Sequence, residues 1–159
     1  MNATLIPASN DHKIVMQNLM QFYIYDFSEY VKYDVEDNGL FVPYLDLKEY
    51  WEADNNKFPY IIKNDDRYVG FVLVKFMRSE DRNYFSIAEF FILKKYRHAG
   101  IGKAIAVKVF NLHKGEWEVF QKDSNKPAQI FWNKVISEYT NGQFKERLEN
   151  GKRIQVFEN

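Results

Sequence analysis

The sequence predicts a mixed α/β (α+β) domain: a central, mostly antiparallel twisted sheet of about seven strands with about four helices, in the order β-α-α-β-β-β-α-β-α-β-β. Three observations predict it. The hydrophobic period changes from helical to strand-like near Phe58 and alternates between the two thereafter. An apolar run, Phe90 to Leu93, leads through a basic stretch, Lys94, Lys95, Arg97 and His98, to Gly100 and Gly102 and then to an amphipathic helix. Two polar turn signals, Asn64-Asp65-Asp66-Arg67 and Asn150-Gly151, each separate two strand-like runs.

The elements follow in order. Thr4 to Ile6 reads as a short first strand, and Ser9, Asn10 and Asp11 offer N-caps for a helix running to about Phe27, with Val15, Leu19, Phe22 and Tyr23 on its buried face. Ser28 to Pro43 is irregular and acid-rich, with Glu29, Asp34, Glu36 and Asp37. Asp46-Leu-Lys-Glu49 resembles a capping box and opens a short helix carrying Leu47, Tyr50 and Trp51. Phe58 to Lys63 and the nearly all-apolar Tyr68 to Phe76 pair as an antiparallel hairpin, and Tyr84 to Leu93 is the next strand after a polar turn. Ile101, Ile105, Val109 and Leu112 form the buried stripe of the following helix, with Gly115 as its C-cap. Trp117 to Gln121 is a strand. Pro127 suits a helix start, and Ala128, Phe131, Trp132, Val135 and Tyr139 give that helix its apolar face. Phe144 to Leu148 and Arg153 to Phe157 flank the type I′ signal Asn150-Gly151. A helical crossover joins Tyr84–Leu93 to Trp117–Gln121, so these two strands are expected as parallel neighbours. No linker, repeat or low-complexity stretch interrupts the chain, and one domain over residues 1–159 is expected.

A strand, a basic glycine loop and a helix together make an anion site. Free N–H groups at the helix start point at the ligand, the helix dipole adds partial positive charge, and glycines allow the dihedrals and the close approach. The P-loop spacing is absent, and Ile105 stands where the dinucleotide fingerprint needs its third glycine. What fits is Arg/Gln-x-x-Gly-x-Gly/Ala after a strand, here Arg97-His98-Ala99-Gly100-Ile101-Gly102.

This motif, the longer run Glu89-Phe-Phe-Ile-Leu-Lys-Lys-Tyr-Arg-His-Ala-Gly-Ile-Gly-Lys103 and the order of elements on both sides resemble the GNAT superfamily of acyl-CoA-dependent N-acyltransferases over essentially the whole chain. The resemblance implies the GNAT fold, with the Tyr84–Leu93 and Trp117–Gln121 strands splayed around the pantetheine arm of acetyl-CoA. It implies that N–H groups of His98, Ala99, Gly100, Ile101, Gly102 and Lys103 hold the pyrophosphate, that Arg97 and Lys103 add charge, and that the backbone of Phe91 and Ile92 pairs with pantetheine amides. It puts Asn125 on the pantetheine arm, where a helix cap is the competing role, and Phe131 beside the cofactor. It makes Glu89 the general base, where the plainer alternative is a strand glutamate facing solvent. Where the family usually carries a general-acid tyrosine, this chain has Trp132, whose indole can donate but cannot lose its proton at accessible pH. Three options stand: Tyr139, Tyr25 or a water protonates the thiolate, the thiolate leaves unaided, or catalysis has been lost. Trp132 also fits a core position. In this family the first two helices and their connection choose the acceptor. Here Tyr23, Tyr25, Asp26 and Phe27 are the substrate-binding candidates, aromatic and acidic enough to suit a small cationic amine, although as single residues each also reads as core or solvated surface.

Composition narrows the alternatives. Lys plus Arg and Asp plus Glu both number 22, a balance that argues against nucleic-acid binding. There is no cysteine, which excludes disulfides, thiolate metal sites and an acyl-cysteine intermediate, and His12, His98 and His113 have no ligand-like spacing, so no metal is expected. No apolar run approaches a membrane span and the start is too polar for a signal peptide, which predicts a cytoplasmic protein without membrane partners. The expectation is an acetyl-CoA-dependent N-acetyltransferase acting on a primary amine by direct transfer in a ternary complex, the partner being a small-molecule or peptide amine. A GNAT-fold acyl-CoA-binding or regulatory domain with weak or no catalysis is the rival, and an unrelated nucleotide-binding domain using the same loop is a third reading. The last hairpin, with Phe144, Ile154, Val156 and Phe157, offers an edge for a homodimer.

Overall fold

The computed structural model describes residues 3–52 and 56–159. Its centre is a seven-stranded sheet in the order β1-β2-β3-β4-β5-β7-β6. The strands are β1 (Ala3–Pro7), β2 (Lys57–Asn64), β3 (Arg67–Arg78), β4 (Asn83–Ile92), β5 (Glu116–Lys122), β6 (Lys145–Glu149) and β7 (Lys152–Glu158). All neighbours are antiparallel except β4 and β5, which the crossover makes parallel. Three α-helices, α1 (Lys13–Phe27), α2 (Ile101–Leu112) and α3 (Lys126–Tyr139), and a 3₁₀ helix, Leu45–Trp51, cover the two faces.

Each face has its own core. On one, Met16, Leu19, Met20 and Ile24 of α1 and Leu47 and Tyr50 of the 3₁₀ helix pack on Ile61, Phe71, Leu73 and Phe91. On the other, Ile101, Ile105 and Val109 of α2 and Trp132 and Val135 of α3 pack on Ile62, Val72, Val74, Ile87, Ile92 and Trp117. Two expected core positions differ. Phe22 is exposed because the buried stripe of α1 runs through Met16, Leu19, Met20 and Ile24, and Leu112 is exposed because α2 buries Ala106 and Phe110 instead. The second helix is 3₁₀ rather than α, and its capping box does not form: Tyr44 is its N-cap and makes no side-chain capping bond, while Glu49 pairs with Lys57 and Asp46 lies 3.9 Å from Lys75. The cap of α2 at its C-terminus is His113, with Gly115 two residues beyond at φ 136. Both turn signals hold, with Asp65 and Asp66, and Asn150 and Gly151, at positive φ.

Two irregularities matter for the site. The β4–β5 ladder is confined to Phe85↔Trp117 and Ser86↔Glu118, so beyond Ser86 the two strands part. Between Leu73↔Glu89 and Val74↔Ile87 the register with β3 shifts by one residue, a bulge in β4 at Ala88. Phe85 and Ile87 face the α2–α3 side before the bulge, Phe90 and Ile92 after it, so the parity of the strand flips there. Gly70 is needed opposite this strand, because a Cβ on it would sit 2.0 Å from the Phe91 carbonyl oxygen. The C-terminal hairpin spends its apolar side inward: Ile154 and Phe157 are buried and Phe144 packs on the core. Its outer strand β6 is exposed and charged, with Lys145, Glu146, Arg147 and Glu149, the usual protection of a sheet edge. Among the described residues no helix is long and apolar enough to cross a membrane.

Candidate active site

Where β4 and β5 part, a cavity of about 650 Å³ opens. Ile87 to Phe90 form one wall and Val119 to Lys122 the other. Asn125, Ala128 and Trp132 of the α3 region close one end, and Tyr23 and Phe27 of α1, Tyr33, Asp34, Phe41 and Tyr44 of the irregular connection and Asp46 of the 3₁₀ helix close the other.

Glu89 stands on the β4 wall. Strict alternation from Phe85 and Ile87 would turn it toward α2 and α3, but the bulge turns it to the α1 side, where it meets two phenols. Tyr23 donates to Oε2, and Tyr44 donates to Oε1 at 2.8 Å. Burial pushes the Glu89 carboxyl above its usual range, while the two phenol hydrogen bonds and the charge of Lys75 pull it back. Burial first, and then the neighbouring carboxylate, push the Tyr23, Tyr44 and Tyr50 hydroxyls well above their ordinary value, so these phenols stay protonated donors. Glu89 is thus a partly buried, doubly bonded carboxylate facing a cavity, rather than a strand glutamate facing solvent.

The glycine loop lies at the far end of β4, outside the cavity lining. His98 at φ 62 and Gly100 at φ 81 curl the chain through left-handed conformations, which is how a backbone gathers N–H groups into a concave anion site. Gly100 is the N-cap of α2, and Ala104 is the first residue whose N–H is used, at 3.1 Å from the Gly100 carbonyl. Among the described residues the N–H groups of Ile101, Gly102 and Lys103 have no protein acceptor. Ile101 anchors the turn by burying its side chain, and Gly102 lies against Phe131, to whose ring a Cβ would come within 3.1 Å. Arg97 and Lys103 are not free charges. Arg97 donates to the Ile92 carbonyl at 2.7 Å and to Asp26, and Lys103 pairs with Glu138.

The other candidate residues divide. Phe91 and Ile92 continue the unpaired edge of β4 just past the cavity wall, with side chains buried on opposite faces of the sheet. Asn125 lines the cavity and also caps α3, accepting from the Ala128 N–H at 3.1 Å. Tyr23 and Phe27, one turn apart on α1 and stacked at 5.7 Å, line the cavity. Tyr25 and Asp26 do not. Tyr25 is exposed, 6.0 Å from the Lys94 ammonium, and Asp26 turns to the basic loop, pairing with Arg97 and, at 3.2 Å, with Lys94. Among the general-acid options, Tyr139 is held away from the site, donating to Asn111 at 2.9 Å and accepting from Asn159 at 2.9 Å. Trp132 is buried between Phe90 and Phe131 while lining the cavity. Sequence reasoning missed Tyr44, Tyr33 and Phe41, which lie in an irregular segment where no period assigns a direction, and it missed the bulge that aims Glu89.

The sequence model of the acetyltransferase (GNAT) family matches residues 17–136. No curated protein sequence matches. Among solved structures, an acetyltransferase from Thermus thermophilus is 15% identical with a TM-score of 0.70, covering 100% of this chain and 98% of its own. The PaiA N-acetyltransferase of Thermoplasma acidophilum, in complex with coenzyme A, is 13% identical with a TM-score of 0.70 and complete coverage of both chains. NAA60 of Arabidopsis thaliana, in complex with a bisubstrate analogue, is 12% identical with a TM-score of 0.64, covering 99% of this chain and 98% of its own. At these identities the likeness is one of fold, and the family match spans most of the sequence. A splayed β4–β5 pair, a glycine loop opening α2 and a family match over residues 17–136 lead to one assignment: this chain belongs to the GNAT acetyltransferase family.

Proposed function

We propose that this protein transfers an acetyl group from acetyl-CoA to a primary amine by direct attack in a ternary complex. The observation that carries the reading is the parting of β4 from β5 beyond Ser86, which opens a cavity with Glu89 on its wall and leaves the glycine loop at the end of the same strand. Acetyl-CoA spans the two. Its pyrophosphate lies on the free N–H groups of residues 101–103, and its pantetheine arm follows the unpaired edge of β4 past Ile92 and Phe91. That the Thermoplasma relative is in complex with coenzyme A, and the Arabidopsis one with a bisubstrate analogue, supports an acyl-CoA co-substrate.

The acceptor enters from the α1 side, between Tyr23, Phe27, Tyr33 and Phe41, with Asp34 and Asp46 near it. Aromatic walls with carboxylates favour a small cationic amine. The bound ammonium first gives up one proton to solvent; the neutral amine nitrogen then bonds to the thioester carbonyl carbon, the carbon–sulfur bond breaks with its electron pair on sulfur, and the nitrogen's next proton passes to Glu89. Holding the two reactants together supplies most of the rate, and the base supplies a further factor of about 10² to 10⁴. The thiolate leaves unaided by Trp132.

Calorimetric titration with acetyl-CoA, CoA and ATP, followed by thiol-release assays across an amine panel, tests the reading. Selective CoA binding with amine-dependent thiol release supports it. CoA binding without release from any amine assigns the chain to an acyl-CoA-binding role instead. Failure to bind CoA overturns the cofactor assignment.

A further inference from the structure

The two phenols on Glu89 reach it from separate elements. Tyr23 comes from α1 and Tyr44 from the end of the connection 28–44, and each occupies a different carboxylate oxygen. That connection has little structure of its own, a single bridge between Val35 and Phe41. It is tied to α1 by Gln21, whose side-chain amide accepts from the Phe41 N–H at 2.9 Å and donates to the Phe41 carbonyl at 3.2 Å. The segment carrying the cavity-lining residues Tyr33, Asp34 and Phe41 is therefore pinned at two points, one at Gln21 and one at Glu89 itself.

We propose that Tyr23 and Tyr44 are positioning residues for Glu89, and that Tyr44, carried by the acceptor-side connection, links the ionisation of Glu89 to the closure of that segment. The catalytic meaning of this link rests on the acetyltransferase reading, but its measurement does not. A phenol that donates to a carboxylate stabilises the charged form and fixes its orientation. When the segment closes, Glu89 gains a second donor and stands as a charged, aimed acceptor for the amine proton. When it opens, one donor leaves and the neutral acid is favoured. The other groups around Glu89 are Tyr50 on the 3₁₀ helix, whose buried hydroxyl has no partner among the described residues, and Lys75 on β3. Asp34, Asp46, Lys122 and Lys152 are the charged groups elsewhere on the cavity lining. Among the described residues that face Glu89, only Tyr44 both bonds it and belongs to the connection.

The test is a carbon-13 NMR titration of the glutamate carboxyls in the ligand-free protein, with Glu89→Gln identifying the resonance and circular dichroism checking the fold of each variant. Tyr44→Phe and Tyr23→Phe are each expected to raise the midpoint of Glu89 by about one pH unit. Gln21→Met, which leaves both phenols in place and frees the connection, is expected to raise it by a smaller amount. An unchanged midpoint in Tyr44→Phe overturns the positioning role, and a shift in Tyr44→Phe with none in Gln21→Met overturns the link to the connection. In turnover, the acidic limb of kcat/KM moves upward in Tyr44→Phe with KM for acetyl-CoA unchanged. If no amine turns over, the acetyltransferase reading fails while the titration still decides this proposal.

Discussion

Arg97 of the glycine loop donates to Asp26 near the end of α1, so the loop proposed to receive phosphate already has a carboxylate beside it. Lys94 shares the same carboxylate at 3.2 Å. The pair is partly exposed, which limits its worth to about 1 kcal/mol. Asp26→Asn removes the negative charge and releases both cations, and it is expected to tighten CoA binding about fivefold, with a gain that shrinks at high salt. Arg97→Ala leaves Asp26 to repel the phosphates and is expected to weaken binding. Calorimetry at two salt concentrations reads both, and wild-type affinity in Asp26→Asn would remove Asp26 from the electrostatics of the loop.

Gly102 meets a different constraint from the left-handed Gly100. Its backbone is ordinary helix, but a Cβ would lie 3.1 Å and 3.3 Å from two ring atoms of Phe131. Gly102→Ala pushes that ring toward Phe90, 5.7 Å away between centroids, and is expected to weaken CoA binding moderately. Gly102→Glu sets a carboxylate among the free N–H groups of the first turn, where it competes with the pyrophosphate. Loss of measurable CoA binding with an unchanged circular dichroism spectrum is expected. Retained binding would mean that the anion lies elsewhere.

Much of this architecture is legible in the residues because local rules and tertiary packing agree. Asp65-Asp66 and Asn150-Gly151 adopt positive φ where hairpin turns require it, and Pro127 sits in the first turn of α3. The shape of the glycine loop is legible for the same reason, since its left-handed turn at Gly100 and the start of α2 are set locally. The acceptor side is not. Tyr44 reaches Glu89 across 45 residues from a segment without a period, and nothing local to it favours that bond over solvent. The bulge at Ala88 reverses the face of every later residue in β4, so alternation alone aims Glu89 at the wrong layer. Asp26 reads as an acceptor ligand beside Tyr23 and Phe27, yet it sits about 100° round the helix from Phe27, and it pairs with the loop cations Arg97 and Lys94 instead.

His113, at the end of α2, is buried among Phe58, Phe85 and Trp117, with its Nε2 2.7 Å from the Tyr60 hydroxyl. Burial holds its pKa below the ordinary histidine value. The unfolded chain therefore binds a proton first as pH falls, so stability is full above about pH 6.5 and is lost as pH drops from there to the lowered folded value. Each unit of separation is worth about 1.4 kcal/mol. Urea unfolding of wild type and His113→Gln at pH 5 and pH 7.5 isolates this contribution. The variant is expected to lose the aromatic contacts, and hence stability, at both pH values, while its pH dependence flattens over this window. Equal slopes in the two proteins would show that His113 folds with an unshifted proton affinity.

Trp132 separates packing from chemistry at the position where a proton donor would serve the leaving sulfur. Its ring lies 5.1 Å from Phe90 and 4.9 Å from Phe131 by centroids, edge-on to both, and the residue is 6% exposed at the end of the cavity. Indole cannot give up its proton at accessible pH, so any contribution to the thiolate is at most a hydrogen bond. Trp132→Phe keeps an aromatic ring but leaves space in the core, at an expected cost of about 2 kcal/mol and a fall in Tm of about 6 °C. Removing a true general acid lowers kcat about a hundredfold or more. If Trp132 only packs, kcat at saturating acetyl-CoA and amine falls no more than about threefold in Trp132→Phe, well short of that loss. A hundredfold fall, with CoA affinity and fold retained, would instead make the indole N–H a participant in stabilising the departing sulfur.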